Sequence, residues 1–107
     1  MVYELKAVSA EILYKDRKRI KPGICLEYNY SQNPLLVKTF ASPEEAMEEL
    51  GKRKTTVVYM RKYFLVIEYY VEESEYDEEG DWISGGDIWG YSEFDADAIT
   101  LLNSVNM

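Results

Sequence analysis

Histidine is absent from the 107 residues, and cysteine occurs once, at position 25. Without an imidazole, the commonest general base and the commonest zinc ligand are both missing. A lone thiol cannot build an intramolecular disulfide framework. Cys25 has no basic neighbour to activate it, so a structural thiol is expected rather than a nucleophile. No apolar run approaches the roughly 20 residues that span a bilayer. Met1-Val2-Tyr3-Glu4 offers neither the basic nor the apolar region of a signal peptide. A soluble, cytoplasmic chain with no membrane partner is therefore the expectation.

The most informative absence is of one sign of charge. From Tyr63 to Met107 there is no lysine or arginine, while 12 of the 20 acidic residues lie there. All 12 basic residues precede Tyr63, so the total of −8 divides into a mildly basic first part and a strongly acidic last part. The chain is electrically two-ended unless folding brings those parts together.

What is present argues for a folded domain. Hydrophobic content of 47% and aromatic content of 14% exclude a disordered chain despite the charge. The length suits one domain, residues 1–107, with a single core and no need of disulfides or metal. The longest β-branched and aromatic stretch is Tyr63–Glu72, apolar on both faces in its first half and on one face in its second. It predicts an interior strand leaving the core toward solvent. Asp77-Glu78-Glu79-Gly80 predicts a turn with Gly80 at positive φ, and Asp81–Ser84 an antiparallel return. Gly85-Gly86 allows a bend or bulge before Ile88–Tyr91 resumes as strand.

Earlier in the chain, Val2–Tyr14 fits a strand better than a helix, since no capping residue precedes it. Its apolar positions change parity between Ala7 and Val8, which a bulge would supply. Lys15–Lys21 holds five basic groups and is expected to be a solvated turn between strands, because no aromatic residue is interleaved for stacking. After Pro22-Gly23, the alternation of Ile24, Leu26, Tyr28 and Tyr30 predicts a half-buried strand. Ser31–Pro34 predicts a loop and Leu35–Phe40 a short strand. Ser42, Pro43 and Glu45 form the start signal of a helix running to Gly51, with Ala46, Met47 and Leu50 as its buried stripe. Thr55–Met60 is β-prone, and Asp95 or Asp97 can cap a short C-terminal helix. The fold class is α+β: a mainly antiparallel sheet with one helix, about 43–51, on one face and a small helix at the end.

No chemistry-bearing motif emerges. An EF-hand loop with Gly80 at its sixth position needs glutamate at position 86, which is glycine. At most the acidic turn attracts a cation weakly, and no metal or cofactor is expected. Paired carboxylates are plentiful, but adjacency in sequence does not make the cleft that glycoside hydrolysis requires. There is no P-loop, dinucleotide fingerprint, Gly-x-Ser-x-Gly or Cys-x-x-Cys. No catalytic residue is assigned, and a non-enzymatic protein is expected.

The functional expectation is a protein-interaction module whose acidic, aromatic face engages a basic protein partner. Its candidate residues are Glu68, Glu72, Glu73, Glu75, Asp77, Glu78, Glu79, Asp81 and Asp87, with Tyr69, Tyr70, Tyr76, Trp82 and Trp89 as anchors. In its sharpest form the surface mimics nucleic acid toward a nucleic-acid-binding protein, as small inhibitors encoded by mobile elements do. The alternative is a structural or self-associating unit, its acids keeping a tyrosine-rich sheet soluble and the basic end of one copy meeting the acidic end of another. Direct nucleic-acid binding through residues 15–21 and 52–62 is opposed by the net charge.

Overall fold

Twelve consecutive residue pairs join the first strand to the long central one. In the computed structural model, which describes residues 1–28 and 33–104, β1 (Val2–Leu13) and β4 (Tyr63–Tyr76) lie antiparallel from Val2 opposite Ser74 to Leu13 opposite Tyr63, without a register slip. The remaining elements in chain order are a 3-10 helix (Tyr14–Arg19), α1 (Ile24–Tyr28), β2 (Leu35–Phe40), α2 (Pro43–Gly51), β3 (Lys54–Tyr59), β5 (Trp82–Tyr91), β6 (Glu93–Phe94) and α3 (Ala96–Ser104). The sheet runs β2-β1-β4-β3-β6. The far half of β4 pairs instead with β5, so β4 changes partner along its length. The fold is α+β with one mainly antiparallel six-stranded sheet.

The unbroken ladder explains the change of parity in β1 without a bulge. Side chains alternate between faces, so Val8, Ala10 and Ile12 point to one side and Leu5 to the other. The first set joins Phe64, Val66, Tyr70 and Val57 beneath α1 and α3, which contribute Ile24, Cys25 and Ala98. Leu5 joins Val71 and Phe40 beneath α2, which contributes Ala46 and Leu50. The strand serves one core with half its length and a second core, on the opposite face, with the other half. The bulge lies on the other edge of β1, where β2 carries an extra residue between Leu36 and Lys38.

The α2 helix starts as its sequence dictates. The Ser42 hydroxyl accepts the Glu45 N–H at 3.3 Å, and Pro43 occupies the first turn. Its end falls at Gly51 as expected, and Lys52, in right-handed conformation, caps it. Asp95 holds α3, its carbonyl accepting from Ile99 and its carboxylate from Asp97. The parallel pairing of β6 with Lys54-Thr55 has no local signature, being only two residues long.

Two segments correct the sequence reading. Lys15–Arg19 belongs to the 3-10 helix that begins at Tyr14, and leads toward a helix rather than a strand. Ile24–Tyr28 is helical, not extended; Asn29, Tyr30, Ser31 and Gln32 lie outside the described residues. Ile24 and Cys25, adjacent in sequence, are both buried against the sheet. A one-turn helix lying on the sheet buries adjacent residues on one side, whereas a strand would send them to opposite faces. Among the described residues, no helix is long and apolar enough to cross a membrane.

Gly85 marks where the backbone is most crowded. It has φ of +117°, and a Cβ there would sit 2.5 Å from the Glu73 carbonyl oxygen. Gly51 has open space around it and an ordinary helical position. Gly85→Ala is expected to destabilise the fold by about 1–3 kcal/mol, while Gly51→Ala leaves it unchanged or stabilises it by up to about 1 kcal/mol. Urea unfolding midpoints of the two variants check this contrast.

Candidate functional site: an acidic hairpin end

The β4–β5 hairpin forms one end of an elongated molecule with extents of 52 × 27 × 17 Å. Its turn is locked from inside. The Asp77 N–H donates to the Asp81 carbonyl at 2.9 Å, and the Gly80 N–H to the Asp77 carbonyl at 3.0 Å, with Gly80 at φ +89°. The Asp77 carboxylate accepts from the Glu79 and Asp81 N–H groups at 3.0 and 2.8 Å. A short acidic side chain at the turn's first position thus closes it. Oxygens of Asp77, Glu79 and Asp81 lie within 4.8 Å of one another, all three side chains being exposed. They form a solvated carboxylate cluster, and the Asp77 hydrogen bonds are those of the turn itself.

The ladder fixes where this end sits relative to the cations. Because Leu13 faces Tyr63, the 3-10 helix after β1 and the turn before β4 meet at the opposite end. That end holds Lys15, Arg17, Lys18, Arg19, Arg61 and Lys62, with Asp16 as the acid among them. Thirteen steps of β4 at about 3.3 Å per residue separate the ends by about 43 Å. The two charge clusters therefore lie several Debye lengths apart at physiological salt, where one length is about 8 Å. They do not neutralise each other within the chain.

The expected site residues divide into three groups. Asp77, Glu78, Glu79, Asp81 and Asp87 are exposed, as are Tyr76, Trp82 and Trp89. Tyr76 and Trp82 are cross-strand partners and share a face. Trp89 packs edge-on against Tyr3, with ring centroids 5.6 Å apart. A second group is half-buried. Glu72 pairs with Lys6 at 3.7 Å, Glu75 accepts the Ser84 hydroxyl at 2.8 Å, and Glu73 lies between them on β4. Tyr69 belongs with these, its ring covered by the Arg53 guanidinium at 5.1 Å.

Glu68 and Tyr70 correct the sequence reading, since neither reaches the surface: they are 0% and 2% exposed. Both point to the face that α1 and α3 cover, and the expected exit of β4 toward solvent comes only after Val71. Among the acids of the last part of the chain, Glu93, Asp95 and Asp97 lie along β6 and the start of α3, away from the tip. Sequence reasoning also passed over Ile83 and Ile88, both exposed on the hairpin. The alternation that flags a core face is silent here, because neither face of the tip is covered.

Glu4 is another acid that folding hides. It is 5% exposed, and the Tyr76 hydroxyl donates to its two oxygens at 2.9 and 3.0 Å. This contact ties the base of the hairpin to β1. Lys6 lies within 3.9 Å of Glu4 as well as near Glu72, so one cation serves two carboxylates at the root of the acidic end.

Glu68 has a separate role. Its carboxylate accepts the Gly23 N–H at 2.6 Å, anchoring the segment that leads into α1. Burial pushes its pKa up to about 7, and the N–H groups of Gly23 and Cys25 oppose that rise. Burial and then the Glu68 charge push the Cys25 thiol up to about 12, and that thiol donates to the Val66 carbonyl at 3.4 Å. Cys25 is therefore an inert, structural thiol at neutral pH. The folded state holds the Glu68 proton more tightly than the unfolded chain, whose ordinary value is 4.5. The Glu68 contribution to stability is thus fully present below that value and is lost as pH rises through about 7. Glu68→Gln, which cannot ionise, is expected to gain on the wild type in unfolding midpoint between about pH 5 and pH 8. An offset between the two proteins that stays constant across that range would contradict the assignment.

Comparison with known proteins leaves the site to be read on its own chemistry: no family model, curated protein or solved structure matches the chain.

Proposed function

We propose that this chain is a small non-enzymatic interaction module whose acidic hairpin docks on a cationic surface of a partner protein, presenting charge much as a nucleic-acid backbone does. The observation that carries this reading is that, among the described residues, no lysine or arginine forms an ion pair with the carboxylates of the tip, the pairing of Lys6 with Glu72 lying at its root. Six carboxylates, those of Glu73, Glu75, Asp77, Glu78, Glu79 and Asp81, lie within the nine residues from Glu73 to Asp81 that form the end of β4 and the turn. At about 3.3 Å per residue this is about one charge per 2–3 Å of ribbon, against about one per 1.7 Å of duplex DNA. A groove lined with lysine and arginine meets a comparable charge density in either case.

The exposed aromatic side chains supply what charge alone does not. Trp82 is 54% and Trp89 47% exposed, on a ribbon whose backbone is held by cross-strand hydrogen bonds. Tryptophan and tyrosine dominate the energetics of protein interfaces because they bury large area at low entropic cost. The acids steer approach and the aromatics hold the complex.

Binding to immobilised protamine, a polycationic protein, tests this reading. Affinity is expected to fall steeply with salt. Combining Glu78→Gln, Glu79→Gln and Asp81→Asn should flatten the slope of affinity against salt. Trp82→Ala should weaken binding by about tenfold without altering that slope. Binding indifferent to the three neutralising substitutions would overturn the proposal, as would retardation of a labelled DNA duplex by the protein itself at low salt.

A further inference from the structure

The cationic end carries the counterpart of the hairpin. Between the 3-10 helix and α3, the side chains of Arg17, Lys18, Ile20, Phe94, Ile99 and Leu102 line a groove of about 420 Å³. Its lining joins four apolar side chains to two cations and Asn103, with Ile99 48% exposed. The tip of the hairpin has the inverse composition. Asp81, Trp82 and Ile83 are consecutive and all exposed, with Glu78 and Glu79 just across Gly80 from them. Apolar side chains beside cations suit an apolar side chain beside carboxylates, since each desolvated charge then meets an opposite one.

We infer that this groove receives the hairpin tip of a second copy of the chain, joined head to tail. The proposal rests on the docking role assigned to the tip above and names one cationic surface that the tip fits. The contact is between molecules by necessity. The tip lies at the far end of β4, about 43 Å along that strand from Tyr63, whereas the groove lies between the 3-10 helix and α3, and the paired strands between them are rigid. Because the two contact surfaces differ, every added copy leaves one tip and one groove free. Association of this heterologous kind grows into open chains unless its rotation closes a ring. The contact area of one hairpin tip is small, so the association is weak and salt-sensitive. A tip seated in a neighbour is unavailable to another basic partner, so dilution or a stronger cationic competitor releases it.

Sedimentation velocity with two surface variants tests the inference. At low salt the wild type is expected to form species larger than a dimer as concentration rises, and to return to monomer at high salt. Trp82→Ala, which blunts the tip, and Ile99→Asp, which places a negative charge in the groove, should each remain monomeric. Their equimolar mixture should form a dimer and stop there, because only one good tip and one good groove remain per pair. That rescue also shows that both variants are folded. A wild type that stays monomeric at every concentration and salt level overturns the inference, as does a dimer unaffected by either substitution. Protamine binding by the same samples separates the two readings. A monomer that still binds protamine through the tip loses only the head-to-tail contact, and loss of both removes the docking role too.

Discussion

The register of β1 against β4 is the constraint from which the rest follows. Twelve pairs in unbroken antiparallel alignment place Leu13 beside Tyr63 at one end and Val2 beside Ser74 at the other. A slip of one residue would exchange the two faces of β1 relative to β4. Val8, Ala10 and Ile12 would then lose Phe64 and Val66, and Leu5 would lose Val71. Two cores on opposite faces hold the register from both sides, so the alignment is doubly specified. The same alignment sets the electrical polarity of the molecule. It carries the basic 3-10 helix and Arg61-Lys62 to one extremity and the acidic turn to the other.

Burial of Glu68 shows how a single side chain can redirect a neighbouring segment. A carboxylate on the covered face of a sheet needs donors. The Gly23 N–H at the entrance to α1 supplies one, and a helix start has such unsatisfied N–H groups to offer. The alternation from Ile24 to Tyr28 favours a strand locally, but the edge of β1 that such a strand would seek is taken between Tyr3 and Ala7 by β2. The need for a lid over Phe64 and Val66 and for donors to Glu68 outweighs the local pattern. Tyr91 closes the other side, its ring within 3.3 Å of where a Gly23 side chain would begin.

Much of this was legible in the residues. The Ser42-Pro43 helix start, the turn ending at Gly80, the interior character of β4 and the terminal helix after Asp95 each carry a local physical cause that tertiary structure did not override. The parity change in β1 was visible too, but one strand cannot say whether it marks a bulge or a second core. That depends on whether a layer covers the other face, and here α2 does. The exposure of Asp77–Asp81 followed from the turn. The burial of Glu68 and Tyr70 did not, because alternation assigns a face without saying which face is covered. The groove joins Arg17 and Lys18 to Phe94, Ile99 and Leu102, residues more than 70 positions apart. Nothing local connects them.

Function, in this view, is a consequence of charges that folding keeps apart. Glu4, Glu68 and Glu72 are drawn into the body of the protein by a hydroxyl, a backbone N–H and Lys6. Among the described residues, the carboxylates beyond them on the hairpin form no ion pair with a lysine or arginine, and they are carried outward on a ribbon flanked by Tyr76, Trp82 and Trp89. The most direct test of this arrangement is the distance between the two ends in solution. Spin labels at Lys18→Cys and Glu79→Cys, in a Cys25→Ala background at high salt and diluted into unlabelled protein, should give a pulsed-dipolar distance of about 45 Å. A distribution centred below about 30 Å would bring the basic and acidic ends together and contradict the separation on which both the tip and the groove depend.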